Sequence, residues 1–170
     1  MFPERGRTQQ ELDDLVRTLA WNDGFGCYTR AGFEKMIWPE IADRAKFIIY
    51  FDVDGMHALN ELYGSYEPAD AMIKHTLSLL RLTDYVAGQW KSGDEFLICL
   101  AEDQQLSPVS GQRESLDPQA MMERLIGELK KQGMTATFAI VPVISRELVT
   151  NIKPAVDQVY AAKKARGASR

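Results

Sequence analysis

Phe47-Ile48-Ile49-Tyr50-Phe51-Asp52-Val53-Asp54-Gly55 is an unbroken apolar run that ends in two carboxylates and a glycine. Continuous apolar residues over a strand's length imply burial on both faces, so the run predicts a central strand covered above and below. Its C-terminal end opens into a loop and presents Asp52 and Asp54 there. About 40 positions further on, Tyr85 to Trp90 and Phe96 to Leu100 are β-rich and flank Lys91-Ser92-Gly93-Asp94-Glu95, which predicts a hairpin with acidic residues at its tip. If the hairpin neighbours the first strand, both acidic clusters meet at one edge of the sheet.

Working outward, Leu12, Leu15, Val16 and Leu19 fall at helical spacing and predict an amphipathic helix from Gln10 to Ala20. A Gly-rich turn over Asn22 to Gly26 leads to a helical stretch through Phe33, Met36 and Ile37, stopped near Pro39. Further helices are expected from about Pro68 to Arg81, from Met121 to Lys131, and from Asn151 to Arg166 with Asn151 or Thr150 as cap. Met134 to Val143 reads as a strand, and the polar, proline-containing stretch Glu102 to Pro118 as a surface loop. This order predicts an α/β (α+β) fold, with helices packed on a mainly antiparallel sheet. Residues 1–20 read as an N-terminal helical extension and 21–170 as one domain.

The 170 residues are 45% hydrophobic and 26% charged, which suits a single domain with a sizeable core. A formal net charge of −4 argues against a nucleic-acid polymer as partner, because strand or duplex binding needs a basic face. A nucleotide needs only a few local cations. Cys27 and Cys99 form no CxxC or Cys/His cluster, so they predict buried free thiols and a reducing, cytoplasmic setting. The polar N-terminus does not read as a signal peptide, and no apolar run approaches the ~20 residues that span a bilayer.

Asp52, Asp54, Asp94 and Glu95 carry the chemistry. Carboxylates beside backbone carbonyls are hard oxygen ligands, suited to Mg²⁺ or Mn²⁺ carrying a nucleoside triphosphate. Turns also select Asp and Gly for conformational reasons alone, so spacing leaves both readings open.

Further segments extend the pattern. Asn60 stands eight positions after Asp52 and Gly64 follows it. Upstream lies Gly26-Cys27-Tyr28-Thr29-Arg30-Ala31-Gly32-Phe33, and near the C-terminus Val159-Tyr160-Ala161-Ala162-Lys163-Lys164-Ala165-Arg166-Gly167. Taken in order with the Ser92-Gly93-Asp94-Glu95-Phe96 hairpin, these resemble the GGDEF (diguanylate cyclase) family from about Asp23 to Gly167. The resemblance implies a ferredoxin-like, nucleotide-cyclase palm. It also implies two GTP-loaded domains that meet face to face as a homodimer and condense two GTP into cyclic di-GMP. Asp52, the Val53 carbonyl and Asp94 would hold Mg²⁺ or Mn²⁺. Glu95 would assist at the metal or hold the hairpin. Asn60, and Asp70 as a second contact, would read the guanine edge. Ser92 and Gly93 would line the phosphates, and Lys163 with Arg166 would contact them.

The sequence departs from that pattern at several places. Ser92 replaces the first signature glycine, and His57 stands where the family has a lysine, so a catalytic charge there depends on protonation near neutral pH. Gly55 and Met56 replace bulkier residues. Gly64 to Asp70 lacks the family's histidine and second glycine and places its Asp one residue late. Base choice rests on buried hydrogen-bond pairing, where one lost partner costs about 1–3 kcal/mol. Arg166-Gly167 reverses the family's Gly-Arg. Arg81-Leu82-Thr83-Asp84 has the RxxD form of an inhibitory site but lies about two positions early. These departures motivate a second expectation, a catalytically degenerate domain that binds a nucleotide or a protein. Phe51-Asp52-Val53-Asp54-Gly55-Met56 also resembles the DxDGT nucleophile motif of haloacid-dehalogenase-type phosphatases. Met56 in place of Thr, and the lack of a downstream Asp pair after a suitable strand, count against that reading.

Overall fold

The computed structural model describes residues 8–80, 84–101, 104–106 and 113–167. The apolar run forms β3 (Phe47–Asp54), the inner strand between β5 (Glu95–Leu100) and β8 (Thr135–Pro142), antiparallel to both. β4 (Asp84–Ala87) extends the sheet beyond β5, followed by the two-residue strands β2 (Cys27–Tyr28) and β1 (Trp21–Asn22), in the order β1-β2-β4-β5-β3-β8. Among the described residues only the β2–β4 pairing is parallel.

The four longer strands are two interleaved β-α-β units. Each unit's two strands straddle a strand of the other, which gives an antiparallel sheet from crossover connections. The structure therefore agrees with the expected α+β, ferredoxin-like palm.

Period-2 alternation divides the core. Ile48 and Tyr50 face α2 (residues 30–41) and α6 (Leu148–Ala165), packing with Phe33, Trp38, Leu97, Ala155 and Val159. Ile49, Phe51 and Val53 face α4 (Glu67–Leu77) and α5 (Pro118–Lys131), packing with Ile73, Phe96, Met122, Leu125 and Leu129. Phe51 stacks on Phe96 across the β3–β5 pair, with ring centroids 5.3 Å apart. Asp52 and Asp54 continue the even-numbered face and so emerge beneath the end of α6. Cys27 and Cys99 are free and buried, and burial pushes both thiols up to about 12.

Several sequence expectations are corrected. Met56–Tyr63 forms a short helix, α3, between left-handed Gly55 and Gly64; eight residues are too few for periodicity to show it. α2 does not stop at Pro39. It is α-helical at Arg30–Gly32, π-helical at Phe33–Ile37 and α-helical again at Trp38–Ile41, and Pro39 sits in the first turn of that last piece, directly after the π-helical turn. The stretch read as a loop holds a β-ribbon, β6 (Gln104–Leu106) paired with β7 (Arg113–Ser115).

α6 begins at Leu148, so neither Thr150 nor Asn151 is its cap. Asn151 is buried in the first turn, where its Oδ1 accepts from the Ile144 and Ser145 amides and pins the entering loop. α1 (Gln9–Ala20) has a Thr8–Glu11 capping box, but Leu12, Leu15, Val16 and Leu19 remain exposed and only Ala20 is buried. Among the described residues no helix is long and apolar enough to cross a membrane.

Candidate functional site

The even-numbered face of β3 ends in an open cleft of about 1150 Å³. Three segments supply most of its lining. The end of β3 supplies Asp52 and Asp54, the 88–94 hairpin tip supplies Lys91, Ser92 and Asp94, and the last turns of α6 supply Tyr160, Lys163, Lys164 and Arg166. Register explains the convergence. Asp52 pairs with Glu95 on one side and Thr137 on the other, so all three side chains share one face. Tyr160 and Lys163 are one helical turn apart on α6 and descend onto that face together.

Lys163 Nζ lies 3.0 Å from Asp52 Oδ2 and 3.1 Å from Asp54 Oδ1, bridging the two carboxylates. Arg166 Nη2 is 3.7 Å from Asp54 Oδ2 and donates to Thr137 Oγ1, which donates to Asp54 Oδ2 at 3.1 Å. Burial alone would lower the Lys163 pKa, but its hydrogen bonds and charge contacts with Asp52 and Asp54 raise it. Asp52 is only 6% exposed. Burial pushes its carboxyl up to about 6; the Lys163 hydrogen bond opposes this, while the charges of Asp94 and Glu95 add to it.

Glu95 is 2% exposed and meets hydroxyls rather than cations. Tyr160 Oη donates to its Oε1 at 2.9 Å, and Ser92 Oγ lies 2.9 Å from its Oε2 and 2.8 Å from Asp94 Oδ1. Tyr50 lies beneath this group. Burial and the proximity of Glu95 and Tyr160 raise its phenol, yet its Oη makes no hydrogen bond of normal geometry.

The donor set is all oxygen, as a hard divalent cation requires. Asp52 Oδ1 is buried and without a hydrogen-bond partner, although buried carboxylate oxygens are normally satisfied. The Val53 amide bonds the Asp94 carbonyl at 2.8 Å, so the Val53 carbonyl, on the same side of the strand, also faces the hairpin. These groups fit a metal. Among the described residues, however, no three acidic, His or Cys groups are already gathered as a cage. The local ammonium takes the place between Asp52 and Asp54.

The other expected residues are distributed unevenly. His57 lines the cleft but is exposed, in an i,i+4 pair with Glu61 at 3.1 Å. Gly93 is exposed at the hairpin tip and is not one of the lining residues. Asn60 and Asp70 also lie outside the lining. Asn60 is half-buried on α3 with its Oδ1 buried and unpartnered. Asp70, on α4, faces the 22–26 turn, where a methyl added at Gly24 would sit 3.8 Å from its Oδ2; burial raises its carboxyl. Arg81 lies outside the described residues, so the RxxD pattern has no structural account.

No family model and no curated protein matches the sequence. Solved structures do. The coiled coil and GGDEF domain of DgcB from Caulobacter crescentus, in complex with c-di-GMP, superposes with a TM-score of 0.67 at 13% identity, over 92% of this chain and 87% of that one. A microbial GGDEF domain with cyclic di-GMP gives 0.65 at 16% identity, over 89% and 95%. The diguanylate cyclase SiaD of Pseudomonas aeruginosa, with its activator SiaC, gives 0.62 at 19% identity, over 92% and 64%. The chain has the GGDEF-domain fold. Within that fold the signature hairpin is the 88–94 turn, and its one non-glycine left-handed residue is Gln89 at φ 52°. Ser92 needs no positive φ, which explains physically why serine fits where the GGDEF pattern has glycine.

Sequence reasoning missed Tyr160 and Thr137 as site residues. Tyr160 was in view within the C-terminal segment, and its spacing of three from Lys163 was the available signal. Thr137 had none, because its place depends on the β3–β8 register.

Proposed function

We propose that this chain is a divergent GGDEF domain whose cleft binds the triphosphate of GTP with Mg²⁺ or Mn²⁺ and condenses two GTP into cyclic di-GMP. The observation that carries the reading is the convergence of Asp52, Asp54, Asp94, Glu95, Lys163 and Arg166 on one cleft, with Asp52 Oδ1 left unpartnered. A pure scaffold has no use for several facing carboxylates.

Asp52, the Val53 carbonyl and Asp94 would hold the metal, which when bound neutralises phosphoryl charge and eases loss of the attacking hydroxyl's proton. Lys163 would turn from Asp52 and Asp54 to the phosphates, with Arg166 beside it, and Ser92 and Gly93 would border them. Glu95, held by Tyr160 and Ser92, would keep the hairpin in register with β3. Two such domains would face each other as a homodimer. In each half-reaction the 3′-oxygen of one GTP bonds to the α-phosphorus of the other, the bond to pyrophosphate breaks, and the hydroxyl proton leaves to a cleft carboxylate or water. Catalysis of this kind rests on positioning and charge, so few residues suffice.

The position of Asn60 and Asp70 outside the cleft favours a second reading, a nucleotide-binding domain without turnover. One experiment separates the two: incubate the protein with each NTP and Mg²⁺ or Mn²⁺, then analyse products by mass spectrometry and binding by calorimetry. Cyclic di-GMP supports the cyclase. Metal-dependent GTP binding with no cyclic dinucleotide from any NTP replaces it with the binding module.

A further inference from the structure

Ser92 is the chain's own departure from the signature, and its side chain does something a glycine cannot. The turn closes between the Glu95 amide and the Ser92 carbonyl at 3.3 Å, which places the Ser92 hydroxyl over the two following carboxylates. Its Oγ is 2.8 Å from Asp94 Oδ1 and 2.9 Å from Glu95 Oε2. A hydroxyl has one proton, so it is shared between two neighbouring anions that would otherwise repel each other.

The two carboxylates differ in how firmly they are held. Glu95 is buried and also bonded by Tyr160; Asp94 is partly exposed at the tip, and Ser92 is its one side-chain partner among the described residues. Ser92 therefore ties a partly exposed carboxylate to a buried one. Because it engages only Oδ1, Oδ2 stays available to the cleft. Asp94 directly precedes Glu95, the strand residue paired with Asp52, whose buried Oδ1 has no partner.

We propose that Ser92 is a positioning residue. By fastening Asp94 to the buried Glu95 it pre-orients Asp94 toward Asp52 and strengthens divalent-cation binding, a role with no counterpart at a glycine. This inference rests on the proposed metal site, and goes beyond it by assigning the orientation of Asp94 to the hydroxyl at position 92.

The test is a Mn²⁺ titration of the nucleotide-free protein followed by electron paramagnetic resonance, on wild type, Ser92→Ala, Ser92→Gly and Ser92→Thr. Thermal unfolding confirms that each is folded, which the exposed position and ordinary φ of Ser92 favour. Loss of one hydrogen bond to a charged group is expected to weaken Mn²⁺ binding about five- to tenfold in Ser92→Ala and Ser92→Gly. Ser92→Thr, which keeps the hydroxyl, is expected within about twofold of wild type. Unchanged or tighter binding in Ser92→Ala, or failure of Ser92→Thr to retain affinity, overturns the inference while leaving the metal site standing. Absence of Mn²⁺ binding in the wild type overturns both.

Discussion

At the carboxylate end of the cleft, strand register, the hairpin turn and the docking of α6 gather four carboxylates, two cations and three hydroxyl donors. At the α3–α4 corner, Asn60 keeps a buried acceptor unpartnered and Asp70 faces the 22–26 turn, both outside that cleft. The first region depends on backbone pairing, which a diverging sequence preserves as long as the sheet survives. The second depends on where two short helices place individual side chains, which a one-residue displacement such as that of Asp70 alters. On the proposed reading, the sheet therefore conserves the groups that would handle phosphate and metal more readily than those that would choose a base.

The largest expected effect tests the first region. Asp94→Ala should lower cyclic dinucleotide formation at least about 100-fold, the scale of removing one charge-stabilising group, with little change in thermal stability. Turnover within tenfold of wild type would place the chemistry elsewhere.

Lys163→Met should destabilise the metal-free protein by about 2 kcal/mol in urea unfolding. That is below the ~3–5 kcal/mol of a fully buried pair, because the Lys163 side chain keeps 24% of its exposure. A loss under about 0.5 kcal/mol would show that the bridge to Asp52 and Asp54 is not formed in solution.

The same region predicts a pH dependence. Folded Asp52 holds its proton up to about pH 6, whereas the unfolded chain releases it near 3.8. Between these values the folded state binds more protons, so stability in the presence of a chelator should fall as pH rises through the window, by up to about 3 kcal/mol. Asp52→Asn should flatten that slope. Parallel profiles for the two proteins would remove Asp52 as the cause.

The smallest effects belong to the second region. Asn60→Ala and Asp70→Asn should each change the ratio of GTP to ATP affinity less than about tenfold, measured by calorimetry. A hundredfold loss of discrimination in either would show that the corner reads the base after all, and would erase the contrast between the regions.

What the sequence made legible follows the same division. A doubly apolar strand ending in acids, and a hairpin tip with two more, are local patterns. They placed Asp52, Asp54, Asp94 and Glu95 correctly on one sheet edge, and the terminal segment brought Lys163 and Arg166 to it. Thr137 was invisible because strand register is a nonlocal property, whereas Tyr160 carried a local signal in its spacing of three from Lys163 on the same helix. The eight-residue α3 and the β6–β7 ribbon are too short for periodicity to resolve. Pro39 and Asn151 misled for a related reason: each has a strong local meaning, as a helix stop or a cap, that the surrounding packing overrode.

Gly55 carries a consequence of another kind. It sits at φ 102°, and a Cβ there would lie 3.1 Å from the Gly133 carbonyl oxygen in the turn that leads into β8. Restoring a bulkier residue at 55 would both strain that backbone and push against the neighbouring turn. A side chain at 55 is thus opposed twice, by its own backbone angle and by a main-chain atom across the turn. Across diverged copies of this gene, position 55 should stay glycine wherever the turn at 133 keeps its place.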